Sequence, residues 1–177
     1  MSTFLRLTPP GRTPPRVLTI AGSDSGGAAG LQADLRTFTL LGVHPLVAVT
    51  AVTVQNSLGV KGFHAIPPDI VGGQIEAVAT DIGVQAAKTG MLASAEIIET
   101  VATRWRDLGL AATVPFVVDP VCASMHGDPL LQPSALDTLR TVLFPLASVI
   151  TPNLDEVRLL VGIDVTDAGT QRAAARA

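Results

Sequence analysis

The chain is short of cysteine, of basic charge and of long apolar runs, and each shortage excludes a class of protein. A single cysteine, Cys122, in 177 residues excludes an internal disulfide framework and a cysteine-based zinc site, so a cytoplasmic location is expected. Only 12 basic residues stand against 15 acidic ones, which disfavours nucleic acid as a partner because a phosphate backbone requires a basic face. Apolar runs stay below the roughly 18 residues of a membrane-spanning helix, and no long apolar segment follows Met1, so neither a membrane anchor nor a secretory signal is expected.

The common nucleotide-binding motifs are also missing. The glycine-rich stretch at residues 22–30 has the spacing of neither the P-loop nor the dinucleotide fingerprint G-x-G-x-x-G, which disfavours a dinucleotide-dependent oxidoreductase. The histidines His44, His64 and His126 share no metal-ligand spacing, and we interpret them as loop or surface residues.

What the sequence does contain is a regular alternation of apolar runs and helix-length segments. Buried strands are predicted at 17–21, 45–54, 83–88, 115–119 and 147–151, where short runs are almost continuously apolar. Helices are predicted between and after them, at 28–41, 68–80, 94–108, 133–143 and 153–161. This order predicts an α/β fold with a mainly parallel sheet flanked by helices on both faces.

The two ends of the chain have their own character. Residues 1–15 are rich in proline and lack periodicity, so we interpret them as a flexible tail. The last twelve-residue stretch, TDAGTQRAAARA, opens like a helix, and no glycine or proline follows QRAAARA to end that helix. Because the last strand of an open sheet also requires a neighbour, we interpret 16–177 as the N-terminal portion of a longer domain, incomplete at its C-terminus.

Polar residues follow every predicted strand, at the point where the strand ends. The five clusters are Gly22–Asp24, Gln55–Asn56, Lys88–Gly90, Asp119 and Thr151–Asn153. In open α/β sheets the ligand crevice lies outside the carboxyl ends of the strands, so these clusters predict one binding site. Lys88 is the one basic residue in these clusters. It could meet either a phosphate or a carboxylate, and the sequence does not separate the two.

A carboxylate lies on the apolar stripe of the first predicted helix. Asp34 shares this stripe with Leu31, Leu35, Phe38 and Leu41, at spacings of three and four. A carboxylate on a core face must be paired or hydrogen-bonded, because burying it alone is expensive. Either nearby backbone N–H groups satisfy Asp34, or it faces the crevice and binds the N–H groups of a ligand.

The stretch TPNLDE at 151–156 also supports two interpretations. Asn153 and Glu156 have the spacing of a helix capping box, and Asp119 could be a turn residue before Pro120. Alternatively, these oxygen ligands bind Mg²⁺ and phosphate, since Mg²⁺ prefers oxygen. Cys122 is expected to be a small buried residue near the same place, and Trp105 a core residue of its helix.

These residues together resemble the hydroxymethylpyrimidine/phosphomethylpyrimidine kinases of thiamine biosynthesis, members of the ribokinase-like superfamily. The resemblance covers about residues 16–177. Five stretches carry it: TIAGSDSGGAAGLQADLRTF, AVTVQNSLGV, AAKTGML, VVDPVCASMHGDPLL and ITPNLDEVRLL. The resemblance implies a kinase that uses ATP and Mg²⁺ to phosphorylate hydroxymethylpyrimidine and then its monophosphate, and it implies a homodimer.

The resemblance also implies roles for individual residues. Asp34 and Gln55 would hydrogen-bond the aminopyrimidine. The backbone around Gly22 and Ala29 would lie against its ring, and Met91 and Val121 would supply apolar contacts. Asn153 and Lys88 would contact the nucleotide phosphates, with Asp119 and Glu156 at the Mg²⁺.

One part of the family pattern has no match in these residues. The family's anion hole is a glycine-rich turn that leads into a helix and carries the group that activates the substrate hydroxyl, and nothing in the 177 residues matches it. No catalytic base is therefore identified, and we expect negligible turnover from this chain alone. The alternatives are a pyridoxine or pyridoxal kinase of the same superfamily, or a module that binds the pyrimidine without turnover; GLQAD and VQN favour the pyrimidine substrate.

Overall fold

A computed structural model describes residues 8–9, 11–122, 130–131 and 134–177. Within these residues the strands are β1 (Arg16–Ser23), β2 (His44–Asn56), β3 (Gly59–Ala65), β4 (Ala86–Thr89), β5 (Phe116–Val118) and β6 (Val149–Ile150). The α-helices are α1 (Gly30–Leu40), α2 (Pro68–Asp81), α3 (Ala95–Asp107), α4 (Ala135–Thr138), α5 (Leu154–Val161) and α6 (Ala168–Ala174). Helix α4 continues as a π-helical turn, Leu139–Leu143, and a 3-10 turn, Phe144–Leu146; a further 3-10 turn is Leu110–Ala112.

The strands form one sheet in the order β3-β2-β1-β4-β5-β6. Strand β1 pairs in parallel with β2 and β4, and the pairs β4–β5 and β5–β6 are parallel too. Strands β2 and β3 form an antiparallel hairpin. The predicted mainly parallel α/β sheet is confirmed, but β3 is an additional antiparallel edge strand that the apolar pattern does not predict.

Helices cover both faces of the sheet, as the side chains of β1 demonstrate. Leu18 and Ile20 have no exposed surface and belong to the same core cluster as Trp105 of α3. Between them, Thr19 points the other way and donates its hydroxyl to Asp34 of α1. Because successive strand residues face opposite sides, α1 covers one face and α3 covers the other, with α2 packed against α3.

Local sequence signals explain where the helices begin. Pro68 occupies the first turn of α2, where its missing N–H costs no hydrogen bond. The Ser94 hydroxyl caps α3 by accepting a hydrogen bond from the backbone N–H of Ile97 at 3.4 Å. Helix α6 begins after Asp167, which caps it through its carboxylate. The start of the predicted helix at 133–143 lies outside the described residues.

Two strand predictions are corrected by the structure. The predicted strand at 83–88 starts only at Ala86, because Gly83 adopts a φ of +82° and forms a turn. The predicted buried strand at 147–151 is reduced to Val149 and Ile150, whose surfaces are 52% and 38% exposed. These two residues are exposed because β6 is the edge strand of the described sheet.

The predictions for the less common residues agree with the structure where it describes them. Trp105 is fully buried and stacks on Phe116, with ring centroids 4.3 Å apart. Cys122 is buried. His44 and His64 are exposed, although they lie in β2 and β3, and His126 lies outside the described residues. Among the helices that the structure describes, none combines the length and apolarity needed to cross a membrane.

Candidate functional site

A cavity of about 530 Å³ lies at the carboxyl ends of β1, β2, β4 and β5. It brings together the following residues that the sequence predicts for the site: Gly22, Ala29, Gln55, Lys88, Met91, Asp119 and Val121. Its lining does not include the three other predicted residues, Asp34, Asn153 and Glu156. Four of the five predicted clusters therefore contribute side chains to one cavity, and the cluster after β6 lies beside it.

The glycine-rich loop between β1 and α1 is organised by Asp24. This side chain is only 4% exposed. Its carboxylate accepts hydrogen bonds from the backbone N–H groups of Gly26, Ala28 and Ala29, at 2.7, 2.9 and 2.8 Å. Three charge-assisted hydrogen bonds compensate for the burial of the carboxylate. They also fix the loop backbone that forms one wall of the cavity.

Two polar side chains tie this loop to its surroundings. The Gln32 side-chain oxygen accepts from the Asp24 N–H at 2.9 Å, and its amide nitrogen donates to the Ser23 hydroxyl at 2.8 Å. The Ser25 hydroxyl donates to the carbonyl of Gln55 at 2.7 Å and accepts from the Gln55 N–H at 2.9 Å. The loop is therefore held against both α1 and the end of β2.

Helix α1 starts at a glycine because no other residue fits there. Gly30 has a φ of +53°, in the left-handed region. A Cβ at this position would overlap the carbonyl oxygen of Gly22, the residue of β1 that lines the cavity. Gly30 therefore allows the first turn of α1 to lie directly against the end of β1, which sets the distance between these two walls.

Asp34 is paired by side chains, and not by backbone N–H groups or an open crevice. Its Oδ2 accepts a hydrogen bond from the Thr19 hydroxyl at 2.6 Å. The Lys88 Nζ lies 3.3 and 3.4 Å from its two carboxylate oxygens. Both partners come from neighbouring positions of adjacent strands, because Thr19 of β1 pairs with Lys88 of β4. Asp34 therefore has side-chain partners and does not line the cavity, and its contact with a ligand stays a prediction.

Lys88 is placed between two carboxylates. Besides Asp34, its Nζ lies 4.0 Å from Asp119 Oδ2, beyond hydrogen-bond distance. Burial raises the pKa of Asp119, and the charge of Lys88 partly opposes this shift by lowering it. The lysine thus lies beside two carboxylates, and it is one of the residues that line the cavity.

The capping box predicted after β6 is present. Asn153 Oδ1 accepts from the Glu156 N–H at 2.9 Å, and Glu156 Oε2 accepts from the Asn153 N–H at 2.9 Å. The Cys122 N–H lies 3.4 Å from Glu156 Oε1.

Burial raises the pKa of Glu156, with Asp119 contributing in the same direction, and burial raises the pKa of Cys122 to about 11. This thiol is therefore protonated and unreactive near neutral pH.

Asp119 and Glu156 are the two residues that the sequence predicts at the Mg²⁺. Burial raises the pKa of both carboxyl groups, and Asp119 raises the pKa of Glu156 further, so the two negative charges lie close enough to interact. Mg²⁺ commonly binds through one or two carboxylates and several waters, and this pair fits that pattern. Among the described residues, no group of three or more His, Cys, Asp or Glu side chains is arranged to hold a metal ion.

The sequence places Asp24 in the cluster after the first strand without a role of its own, and it does not place Thr19 in the site. The loop-organising role of Asp24 could have been found, because an aspartate before small and glycine residues commonly bonds nearby backbone N–H groups. Thr19 left no such signal: its role depends on a helix residue 15 positions later in the chain, which only the packing of α1 on β1 brings close.

The chain is similar to several known proteins. The family model for phosphomethylpyrimidine kinase matches residues 24–177. A hydroxymethylpyrimidine/phosphomethylpyrimidine kinase of Mycobacterium tuberculosis is 73% identical over 174 residues, which cover 98% of this chain and 62% of that protein. The crystal structure of a Clostridium difficile phosphomethylpyrimidine kinase has a TM-score of 0.82 at 38% identity, over 91% of this chain and 70% of that chain. An ADP complex of Bacillus subtilis pyridoxal kinase has a TM-score of 0.79 at 35% identity, over 92% and 60% of the two chains.

The fold and these similarities place the chain in the ribokinase-like structural class. Within that class, the chain belongs to the phosphomethylpyrimidine kinase family. It spans 62% of the length of the Mycobacterium tuberculosis relative.

Proposed function

We propose that the complete protein transfers the γ-phosphoryl group of ATP to 4-amino-5-hydroxymethyl-2-methylpyrimidine, and then phosphorylates the resulting monophosphate, in thiamine diphosphate biosynthesis. The observation that carries this proposal is the cavity of about 530 Å³ whose lining combines Gly22, Gln55 and Met91 with the carboxylate of Asp119. Family membership supports the reaction class. The single cysteine supports a cytoplasmic location.

In this proposal the aminopyrimidine ring contacts the backbone of the glycine loop at Gly22 and Ala29. Met91, which packs next to Gly22, and Val121 supply the apolar contacts. The Thr53 hydroxyl lies 3.2 Å from Gln55 Oε1 and 3.0 Å from the Ser23 carbonyl, and the Gln55 side-chain amide is the group that hydrogen-bonds the ring in this proposal. Asp24 holds the loop in place but does not itself bind the ligand.

Asp119 and Glu156 bind the Mg²⁺ in this proposal, and Asn153 and Lys88 lie near the nucleotide phosphates. A Mg²⁺ held by these two carboxylates would supply charge neutralisation for the nucleotide phosphates. Asn153 also fixes the position of Glu156, through the two hydrogen bonds of the capping box. Asp119 is the more accessible of the two carboxylates, since its side chain is 35% exposed whereas Glu156 is 5% exposed.

Binding of the substrate is tested by calorimetry with this chain. We expect hydroxymethylpyrimidine to bind more tightly than pyridoxine. The variant Gln55→Met keeps the length of the side chain but removes its amide, so hydroxymethylpyrimidine affinity is expected to fall by roughly tenfold, the value of one hydrogen bond. Gln171→Met is the matched control, because Gln171 lies on α6, outside the cavity lining.

A preference for pyridoxine would contradict the substrate assignment and favour the pyridoxal-kinase alternative, which the similarity to Bacillus subtilis pyridoxal kinase keeps open. Equal losses of affinity in Gln55→Met and Gln171→Met would contradict the role of Gln55 alone.

We further propose that two copies of the chain associate through the β2–β3 hairpin. Val52 and Val54 are 48% and 62% exposed, and Leu58 at the hairpin tip is 84% exposed. Val52 and Val54 are two residues apart in β2, so their side chains lie on the same face of the strand. Together with Leu58 they form an apolar surface that a second copy would cover.

Sedimentation velocity tests this association. The wild-type chain is expected to sediment as a dimer, and the double variant Val52→Lys/Val54→Lys as a monomer, because charge on this face opposes burial. Ile70→Lys is the control, since Ile70 is equally exposed, at 52%, but lies on α2. A monomeric wild type at micromolar concentration, or an unchanged dimer in the double variant, would rule out this interface.

A further inference from the structure

Lys88 is the one basic side chain among the described residues that line the cavity. It belongs to β4, in the middle of the sheet, and its side chain is 23% exposed. The other charged residues of the described lining are Asp24 and Asp119. An anionic ligand would therefore meet one cation and two carboxylates, so its binding depends on Lys88.

Asp34 controls where the ammonium of Lys88 lies. The carboxylate approaches Lys88 Nζ with both oxygens, at 3.3 and 3.4 Å, while the Thr19 hydroxyl fixes one of those oxygens at 2.6 Å. A lysine side chain on its own samples many rotamers. A carboxylate that is itself anchored to β1 restricts the ammonium to one part of the cavity wall.

The ammonium retains donor capacity that the protein does not use. Lysine carries three N–H donors. Within the described part of the chain, the hydrogen bonds of the Lys88 ammonium go to Asp34 alone. The Asp119 Oδ2 lies 4.0 Å from the Lys88 Nζ. A phosphate oxygen that enters the cavity can thus accept a hydrogen bond from Lys88 without displacing Asp34.

The two substrates of the proposed function differ in one property that matters here. Hydroxymethylpyrimidine is a neutral alcohol, whereas its monophosphate carries a phosphate in the place of the hydroxyl. The pyrimidine ring is the same in both. A residue that strengthens binding of the monophosphate and not of the alcohol therefore acts on the phosphate.

We propose that Lys88 binds the phosphate of the monophosphate substrate, that Asp34 positions Lys88 for this contact, and that this pair admits the second substrate to the site. This inference rests on the proposed function, because it names the ligand of the same cavity. Asp34 is accordingly a positioning residue that acts through Lys88 and does not contact the pyrimidine.

Calorimetry in EDTA-containing buffer tests the proposal, since Lys88 is then the cation that acts on the phosphate. The chain is titrated with hydroxymethylpyrimidine and with its monophosphate. We expect Lys88→Met to weaken binding of the monophosphate by roughly 10- to 100-fold, the range of a charged hydrogen bond, and to change binding of the alcohol by less than about threefold. Lys61→Met is the matched control, because Lys61 is exposed on β3 and does not line the cavity.

Two further variants separate positioning from a general effect on folding. In Asp34→Asn the ammonium loses its anchor and pairs with Asp119, so affinity for the monophosphate is expected to fall several-fold while affinity for the alcohol stays unchanged. Lys88→Arg keeps the charge and should retain most of the monophosphate affinity. Binding of the monophosphate by wild type should also weaken with salt, and this dependence should be smaller in Lys88→Met.

The possible outcomes are distinct. If Lys88→Met loses both ligands equally, the inference is overturned while the proposed function stands. If wild type binds the alcohol but not the monophosphate, the inference and the proposed second phosphorylation are both overturned, and the proposed first phosphorylation stands. A higher monophosphate affinity in Asp34→Asn would overturn the positioning role, because Asp34 would then merely neutralise Lys88. If wild type binds neither ligand, the proposed function itself fails. Should Lys88→Met prove unfolded by circular dichroism, Asp34→Asn and the salt dependence of wild type decide the matter.

Discussion

Assayed alone with hydroxymethylpyrimidine, ATP and Mg²⁺, the 177-residue chain is expected to release ADP no faster than a control without protein. Phosphoryl transfer depends on positioning and on stabilising the charge of the moving group. The family resemblance implies a glycine-rich anion hole for this task, and no stretch of the sequence matches it. Loss of a single donor of this kind costs about 10²–10³ in kcat, so loss of the whole turn abolishes measurable turnover.

The assay requires two controls. The Mycobacterium tuberculosis relative, of which this chain spans 62%, serves as the positive control in the same coupled ADP assay. Calorimetric binding of hydroxymethylpyrimidine to the same sample demonstrates that an inactive chain is folded. Steady, substrate-dependent ADP release by the chain, at a rate near that of the relative, would contradict the prediction and show that the cavity residues described here suffice for catalysis.

Replacing Gly30 by alanine is expected to cost about 2–4 kcal/mol of folding free energy, from the positive φ and from the steric overlap together. The new Cβ would overlap the Gly22 carbonyl oxygen, so α1 must move away from β1. For a chain of this size the melting temperature should fall by roughly 5–15 °C. Because Gly22 and Ala29 line the cavity, binding of hydroxymethylpyrimidine should weaken as well.

Gly73→Ala is the matched control for this substitution. Gly73 lies within α2, and a Cβ there would have no neighbouring atom within 4 Å. Alanine is favoured over glycine inside a helix by about 0.5–1 kcal/mol, so this variant should melt slightly above wild type. Thermal melting followed by circular dichroism measures both variants. A Gly30→Ala protein with the wild-type melting temperature would mean that the junction of β1 and α1 is looser than the structure indicates.

The main sheet was predictable because its strands are buried, but its edges were not. Runs such as VLTIA and PFVV are almost continuously apolar, and helices cover the sheet on both faces. Strand β3 reads GVKGFHA, with two glycines and a lysine, because an edge strand at the surface needs no apolar continuity. For β6 the error was the opposite one, because a buried strand was predicted from its apolar residues. Its valine and isoleucine are exposed at the other edge of the sheet.

Local signals in the site were likewise readable, whereas its long-range pairings were not. The spacing of Asn153 and Glu156 predicted the capping box, since both partners lie within one helical turn. The stripe of α1 correctly identified Asp34 as a carboxylate that needs partners. Those partners, Thr19 and Lys88, come from adjacent strands, and their proximity depends on the strand order, which periodicity does not encode.

The stacked pair in the core has a practical consequence. Trp105 is the sole tryptophan, and the sequence contains no tyrosine. Near-ultraviolet fluorescence of the chain therefore arises from a single indole, buried against Phe116 of β5. That strand leads directly to Asp119, so a change in emission on adding a ligand reports on this strand and not on the hairpin or the terminal helix.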